Sequence, residues 1–286
     1  MCNVNFFSTS GPVGGTSKSL MHPPGPWCCQ MPCVESDLIE TRRLQEYCLT
    51  MDESEWTYEQ VLNSNGDLVR GLKITEKGLT SLPEAVCAQK HIVSLNLSDN
   101  NLQDLPDDLE KLKNLEQLDL SNNNFEKVPT VIGDLDNLRV LNLSGNKIKE
   151  LPRDIIYLRK LEDIMMDGNC FENFPEILFQ SNVTDVYLRR NHLKAVPEGI
   201  GKIQNLRVLV ISDNEVTSLP ESLTSCDDLK EIWATRNKIE SLPKNFATRL
   251  KNLKKLVLDE NPLPDDVKAA VEAGVVALRK FEAGQS

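Results

Sequence analysis

Apolar positions recur along the chain in the pattern L-x-x-L-x-L-x-x-N, where L stands for an apolar residue and the last position is asparagine. The pattern returns eight times, and its first apolar position lies 22 to 24 residues after the preceding one. The asparagines are Asn100, Asn123, Asn146, Asn169, Asn191, Asn214, Asn237 and Asn261. A unit this short cannot bury its own apolar face, so the periodicity predicts a stack of repeats.

Each unit predicts one short strand, a turn and a return segment. Leu95 and Leu97 flank Asn96, which is the alternation expected of a strand with one buried face. The side-chain amide of the asparagine that follows can both donate and accept hydrogen bonds within a buried turn. A Leu-Pro pair such as Leu105-Pro106 comes next, and proline favours the first turn of a short helix. We therefore expect parallel strands inside an arc, with short helices or 3₁₀ turns outside.

A degenerate unit precedes the eight, with Lys77 in the place of the asparagine. Terminal repeats are commonly atypical, so this unit fits the first position of the array. The predicted fold is an α/β solenoid, an arc of about nine repeats over residues 68–263 with a parallel β-sheet on its concave face.

These motifs resemble the intracellular leucine-rich repeat family, in its 23-residue Leu-Pro subtype. That subtype is seen in Ras-suppressor and Ras-scaffold proteins and in the plant Ras-group-related repeat proteins. The Gly-Val-Tyr-Trp-type tail motif of the plant group is absent from this chain. The resemblance implies a protein without catalysis that binds other proteins, and it suggests a Ras-like small GTPase or one of its regulators as partner. Such motifs are specific for the fold and much less specific for function.

The two ends depart from the repeat pattern. Residues 1–35 are rich in Gly, Pro, Ser and Cys without periodicity, which predicts a disordered tail. Residues 36–67 are predicted to form a helical N-terminal cap, in which Ser54 begins a helix that includes Leu62. Residues 264–286 carry apolar side chains at helical spacing and predict a C-terminal capping helix.

Composition narrows the partners and the compartment. The net charge of −11 disfavours nucleic acid and anionic membrane surfaces as partners. The chain has no run of 18 apolar residues, so no transmembrane segment is predicted. The first residues lack the basic start and apolar run of a secretory signal, and the cysteines do not bracket the repeats. Together these features predict a reducing, cytoplasmic setting.

Residues that could carry chemistry form no recognisable catalytic site. The segment GPVGGTSKS has Ser17 where a phosphate-binding loop needs glycine before Lys18, so nucleotide binding is not predicted. For Cys28, Cys29 and Cys33, zinc binding, reversible lipidation and an inert tail all remain open. No paired nucleophile and base is recognisable, so the sequence predicts no enzyme, cofactor or metal site.

The residue after the second apolar position of each unit faces the concavity when the strands stack. This column consists of Lys73, Asn96, Asp119, Asn142, Met165, Tyr187, Val210, Trp233 and Val257. Its first four members are polar and the rest are apolar or aromatic, although the fold requires no such change at solvent-facing positions. Because adjacent strands lie about 4.8 Å apart, Tyr187 and Trp233 should be about 10 Å apart.

Charged residues flank the aromatic part of this column. Three arginines, Arg189, Arg190 and Arg236, lie on its turn side, and Asp185 and Glu231 lie on the other. Aspartates also lie toward the N-terminal half, at Asp99, Asp119, Asp163 and Asp167. Tyr, Trp and Arg dominate interface energetics, whereas single exposed aromatic residues are common and need no function. We predict a partner-binding patch formed by Met165, Tyr187, Arg189, Arg190, Val210, Trp233, Arg236 and Val257.

The function predicted from the sequence is a non-enzymatic intracellular scaffold or adaptor in signalling, which binds a protein on its concave face. Two alternatives belong to other classes. One is the recognition subunit of a larger enzyme complex, such as a ligase or phosphatase adaptor, for which no separate docking motif is recognisable. The other is a secreted recognition module, against which the missing signal and the lack of end-sealing cysteines argue.

Overall fold

The computed structural model describes residues 57–62 and 68–284. The predictions of a disordered tail over residues 1–35 and of chemistry at Cys28, Cys29 and Cys33 lie outside the described residues.

Ten strands form one sheet, in which the spatial order of the strands is their order along the chain. The first, β1 (Thr57–Leu62), is antiparallel to β2 (Leu68–Lys73), and all later neighbours are parallel. The parallel strands that follow are β3 (Ser94–Asn96), β4 (Gln117–Asp119), β5 (Val140–Asn142), β6 (Asp163–Met165), β7 (Asp185–Tyr187), β8 (Val208–Val210), β9 (Glu231–Trp233) and β10 (Lys255–Val257). The nine parallel strands from β2 to β10 confirm the predicted leucine-rich repeat solenoid.

Short helices form the return segment of most repeats. Six are 3₁₀ helices, at Asp107–Lys111, Thr130–Asp134, Arg153–Tyr157, Glu176–Gln180, Glu198–Lys202 and Glu221–Ser225. Two short α-helices, α1 (Glu84–Cys87) and α2 (Phe246–Arg249), take this place near the ends. Each 3₁₀ helix follows a proline whose φ lies between −58° and −76°, the range that the pyrrolidine ring imposes and a helical turn needs.

The core is a continuous column of aliphatic side chains between the sheet and the return segments. Alternation along each strand places the flanking apolar residues in this core, so that Leu95 and Leu97 are fully buried while Asn96 between them is half-buried. Burial of each such leucine contributes about 2 kcal/mol. The sheet therefore keeps one face in the core and leaves the other available for contact.

The N-terminal cap is a strand where a helix was predicted, so that prediction is wrong over Thr57–Leu62. The segment TYEQVL contains aromatic and β-branched residues, which favour strands. Asn65-Gly66, which lies between β1 and β2 in the sequence, is a dipeptide typical of hairpin turns. All six residues of β1 pair with β2, whose outer edge would otherwise be unpaired. Residues 36–56 and 63–67 lie outside the described part of the chain.

The C-terminal cap consists of two helices, α3 (Asp265–Glu272) and α4 (Val275–Gly284), where a single helix was predicted. Gly274 separates them with a φ of +95°, a left-handed conformation that glycine adopts without strain. Leu278 of α4 is 1% exposed, so this helix covers the last repeat.

Polar contacts hold α4 against α2. The guanidinium of Arg279 donates to the backbone oxygens of Ala247 and Leu250, at 2.9 and 2.8 Å. The carboxylate of Glu282 accepts from the backbone N–H groups of Ala247 and Thr248, at 2.9 and 2.8 Å. These two side chains supply partners for both ends of the short α2, where backbone groups have no partner within the helix.

The repeat between Asn169 and Asn191 has 22 residues, one fewer than most of the others. The missing position follows the 3₁₀ helix, where Ser181 adopts an extended conformation. Comparable positions in other repeats carry buried apolar residues such as Leu158 and Ile203. In the same repeat, the rings of Phe174 and Phe179 stack with centroids 5.8 Å apart, the first buried and the second partly buried against the core.

Candidate protein-binding surface

Eight buried asparagine side chains hold the ends of the strands in place. Each is 5–8% exposed, and Asn123 shows their common bonding pattern. Its Nδ2 donates to the backbone oxygens of Leu97 and Leu120, at 2.9 and 3.1 Å, and its Oδ1 accepts from the backbone N–H of Leu102 at 3.0 Å. The same pattern occurs at Asn100, Asn146, Asn169, Asn191, Asn214, Asn237 and Asn261. Because each amide joins its own turn to the preceding repeat, the strand ends keep a fixed spacing.

The residue before each of these asparagines has a positive φ, a regularity that the sequence analysis missed. These residues are Asp99, Asn122, Gly145, Gly168, Arg190, Asp213, Arg236 and Glu260, and Glu76 has the same conformation in the degenerate first unit. Left-handed backbone favours Gly, Asn and Asp, and five of the nine positions carry one of them. That enrichment was the available signal. Arg190 and Arg236 therefore occupy equivalent turn positions two repeats apart.

Strand pairing places the predicted concave column in register across the sheet. Lys73 pairs with Asn96, and the pairing continues through each strand to Trp233 and Val257. We call its last five members, Met165, Tyr187, Val210, Trp233 and Val257, the apolar stripe. All five are half-buried, so they are neither part of the core nor fully exposed.

Two neighbours hold the indole of Trp233. Its Nε1 donates to Oε2 of Glu231 at 3.0 Å. The Nζ of Lys255, on the adjacent strand, lies 3.7 Å from the centroid of the ring, which is a cation–π contact. The ring is therefore fixed before any partner arrives, and one of its faces already contacts a cation.

Two of the three predicted arginines form an ion-pair network on the turn side of the stripe. Nε of Arg189 lies 2.7 Å from Oδ2 of Asp213, and Arg236 donates to both oxygens of the same carboxylate, with Nη2 at 3.0 Å. These contacts, led by the hydrogen bond from Arg236, lower the pKa of Asp213 to about 2. Asp213 was not among the charged residues that the sequence analysis placed beside the stripe. Arg190 is exposed.

Two aspartates lie side by side on the other side of the stripe. Asp163 of β6 and Asp185 of β7 are paired residues on adjacent strands. Burial, followed by the hydrogen bond and charge of Asp185, raises the pKa of Asp163 to about 6. Oδ1 of Asp185 is buried and has no hydrogen-bond partner among the described residues. The pKa of Tyr187 is also raised, by burial first and then by the charges of Asp185 and Asp163.

The described residues contain no candidate metal site and no candidate membrane span. Within 57–62 and 68–284, no group of three or more His, Cys, Asp or Glu is placed to hold a metal ion. No helix in that part of the chain is long and apolar enough to cross a membrane. Burial raises the pKa of both Cys87 and Cys226 to about 11, so these thiols stay protonated and act as core side chains.

Comparison with known proteins agrees with the repeat architecture. The family model for two-copy leucine-rich repeats matches residues 90–132 and 204–247, and the model for the single leucine-rich repeat matches residues 137–158. No curated protein sequence matches the chain.

Three solved structures illustrate the likeness. A leucine-rich repeat protein of Leptospira interrogans is 29% identical, with a TM-score of 0.65 over 70% of this chain and 51% of its own. The ectodomain of the Arabidopsis receptor kinase HAESA, solved with a peptide hormone and a co-receptor, is 22% identical, with a TM-score of 0.62 over 80% of this chain and 42% of its own. The ectodomain of the Arabidopsis receptor kinase GASSHO1/SCHENGEN3 is 23% identical, with a TM-score of 0.59 over 77% of this chain and 28% of its own.

The two receptor ectodomains share the fold alone, at under a quarter identity. The chain spans about half the length of the Leptospira protein and less than half of either ectodomain. The matched family models, the 22- to 24-residue period and the buried asparagines together show that this chain contains leucine-rich repeats.

Proposed function

We propose that this chain is a non-enzymatic protein-binding module whose concave face docks a protein partner on the apolar stripe. The observation that carries the proposal is the change in the concave column from polar residues to Met165, Tyr187, Val210, Trp233 and Val257. Packing of the repeats does not require this change, because the opposite face of every strand already fills the core.

The stripe has the properties of an interface centre. Tyr and Trp bury a large area on contact, and truncation of such residues commonly costs about 2 kcal/mol or more of binding free energy. Glu231 and Lys255 hold the indole of Trp233 in one orientation, so little side-chain entropy remains to be lost on binding. Arg189 and Arg236, fixed by Asp213, form a polar rim beside it.

We place this module inside the cell, as a scaffold or adaptor in signalling. The three described cysteines, Cys87, Cys170 and Cys226, are free thiols, which suits a reducing compartment. The resemblance of the repeats to Ras-suppressor and Ras-scaffold proteins makes a Ras-like small GTPase or one of its regulators the first partner to test.

Affinity capture with matched baits tests the proposal. Extracts of the native cells are passed over the wild-type chain, a Tyr187→Ala/Trp233→Ala variant and a Tyr157→Ala control, and the retained proteins are identified by mass spectrometry. Tyr157 is 57% exposed on a return segment, so its loss removes an exposed ring from outside the concave face. We expect partners retained by wild type and control to bind the double variant at least about 30-fold more weakly. Equal retention by all three baits would contradict a concave docking site.

A further inference from the structure

On the side of the apolar stripe away from the turns, charge is predominantly negative, because Asp163, Asp185 and Glu231 share that column with Lys255. Arg189 and Arg236 are both paired with Asp213. In the part of the chain that the structure describes, no ion pair neutralises Asp163 or Asp185. These two carboxylates thus carry charge that no cation of the described chain pairs with, although Oδ1 of Asp185 is itself buried.

The neighbours of this pair are mostly acidic as well. Asp185 and Glu162 raise the pKa of Asp163. The charges of Asp185, Glu231 and Asp167 raise the pKa of Tyr187. Glu162 is itself paired with Arg139 at 2.5 Å. Arg207 lowers the pKa of Asp163, and among the described residues that act on this group its effect is the smallest.

The geometry of the pair suits a lysine or arginine side chain. Asp163 and Asp185 lie on adjacent strands, about 4.8 Å apart, so a single ammonium or guanidinium can contact both carboxylates. Met165 and Tyr187 follow two residues later on the same strands and the same face. They offer an apolar surface to the aliphatic stem of the incoming side chain, and the Tyr187 ring offers a cation–π contact.

The same surface already holds one such arrangement internally. Lys255 places its ammonium over the ring of Trp233, and Glu231 lies beside that ring at hydrogen-bonding distance. Tyr187 and Asp185 stand in the same relation along β7 as Trp233 and Glu231 do along β9. At β7, however, the next strand carries Val208 at the position that Lys255 occupies beside β9, so that strand supplies no equivalent lysine for Tyr187.

We propose that the partner docks through a basic segment, whose lysine or arginine lies between the carboxylates of Asp163 and Asp185 and against the ring of Tyr187. This inference rests on the proposed function, because it names the chemistry of the partner at the same surface. The occupant is a protein segment carrying basic residues interspersed with apolar ones, since the site combines carboxylates with the apolar stripe. Binding weakens as the pH falls below about 6, where the pair takes up a proton and loses half of its charge.

Selection of peptides on the full chain tests the proposal. Random 12-residue peptides displayed on phage are panned at pH 7.5 on the wild-type chain, on Asp163→Asn/Asp185→Asn and on Asp227→Asn/Asp228→Asn. Asp227 and Asp228 are exposed, so the last variant makes the same change of charge outside the concave face. We expect wild type and the Asp227/Asp228 variant to select peptides enriched in Lys and Arg. Those peptides should bind Asp163→Asn/Asp185→Asn about tenfold or more weakly.

The pH arm uses selected peptides that contain no His, Asp or Glu, so that only the protein titrates. Their affinity for wild type should fall several-fold between pH 7.5 and pH 5, and their weaker affinity for Asp163→Asn/Asp185→Asn should stay constant. Thermal unfolding checks that both double variants are folded, and removal of the Asp163–Asp185 repulsion should leave the first at least as stable as wild type.

The outcomes separate this inference from the proposed function. Peptides that lose binding on Tyr187→Ala/Trp233→Ala, but show no preference for Lys or Arg, would overturn the basic segment and leave the concave docking site standing. Peptides that bind Tyr187→Ala/Trp233→Ala as tightly as wild type would overturn both. Panning that enriches no peptide dependent on the concave face also counts against the basic segment.

Discussion

At the scale of single residues, the asparagines are the polar groups on which the repeat depends most. Asn169 donates to the backbone oxygens of Leu143 and Met166, at 2.9 and 3.1 Å, and accepts from the N–H of Ile148 at 3.0 Å. These partners lie in the interior, where a backbone group without a hydrogen bond costs about 1–3 kcal/mol. A single amide thus satisfies three groups that no water can reach.

Replacement of Asn169 by alanine should therefore be strongly destabilising. We expect the free energy of unfolding to fall by about 3 kcal/mol, because several buried backbone groups lose their partner at once. Urea denaturation followed by circular dichroism measures this. Asn101→Ala is the matched control, because Asn101 is exposed and makes a side-chain contact at 3.5 Å, and it should change stability by less than about 0.5 kcal/mol. Equal losses of stability in the two variants would show that the buried asparagine side chains are not needed.

The pair formed by Asp163 and Asp185 gives a prediction for how stability depends on pH. The pKa of Asp163 is raised from 3.8 to about 6, so the folded chain binds this proton more tightly than the unfolded chain. The resulting stabilisation is complete below pH 3.8 and is lost as the pH rises through 6. Asp163→Asn should therefore be more stable than wild type by about 1 kcal/mol at pH 7.5, a figure reduced for partial solvent screening.

Urea denaturation of both proteins at pH 7.5, 6 and 4 measures this difference, which should shrink steadily toward pH 4. Asp227→Asn, at an exposed acidic position, serves as the control, and its unfolding free energy should depend on pH as that of wild type does. A constant offset between Asp163→Asn and wild type at all three pH values would exclude the raised pKa of Asp163, caused by burial and then by Asp185, as the source of the difference.

Some residue-level features followed from the sequence and others could not. The concave column was predictable, because a period of two along each strand and one of about 23 between strands determine which residue faces which side. The role of Asp213 was not, since one carboxylate reaches Arg189 in the preceding repeat and Arg236 in the following one. Such contacts depend on side-chain rotamers, which the repeat pattern leaves open.

At the scale of elements, the sequence was informative inside the array and less so at its ends. Each interior return segment was predictable from its proline. For β1, the residues TYEQVL are compatible with either element, and pairing with the edge of β2 decides in favour of a strand. At the other end, Gly274 divides the predicted helix into α3 and α4. Both differences arise from contacts or dihedral angles that local periodicity does not report.

The contact of α4 with the last repeat gives the prediction at this scale. Arg279→Ala removes donors from the backbone oxygens of Ala247, Leu250, Lys251 and Leu253. We expect a loss of about 2 kcal/mol in unfolding free energy, because hydrogen bonds from a charged group contribute more to stability than those from a neutral group.

Hydrogen exchange measures where the loss acts, and amides of α2 and α4 should exchange faster while those of β4 and β5 stay unchanged. Lys280→Ala, at the exposed neighbouring position of α4, is the control and should leave both stability and exchange near wild type. Uniform acceleration along the whole chain would contradict a local role of Arg279.

At the scale of the whole array, each repeat contacts its neighbours and hardly any other part of the described chain. Strand pairs and return-segment pairs that touch are consecutive throughout. Stability is then close to a sum of repeat terms and interface terms between nearest neighbours. The length of the array can therefore change without a change in the contacts of distant repeats.

Excision of one unit tests this independence. Residues 124–146 are one whole unit, because the segment follows the buried Asn123 and ends at the buried Asn146. Its removal should leave a folded chain with one repeat fewer and an intact apolar stripe. Removal of residues 124–134 deletes about half a unit and should abolish cooperative unfolding, because the remaining strands fall out of register. Circular dichroism with thermal unfolding compares the two deletions, and similar behaviour of both would refute independent repeats.

The spacing of the strands has a consequence for the length of a partner's recognition motif. Steps between strands measure about 4.8 Å, whereas residues on one side of an extended peptide recur about every 6.6 Å. Four steps between strands span about 19 Å, and three two-residue steps along the peptide span about 20 Å, so the two distances nearly coincide there. Met165 and Val257 are four strands apart. An extended peptide laid across the sheet therefore meets matching positions only about six residues apart, which sets the spacing of its anchor side chains.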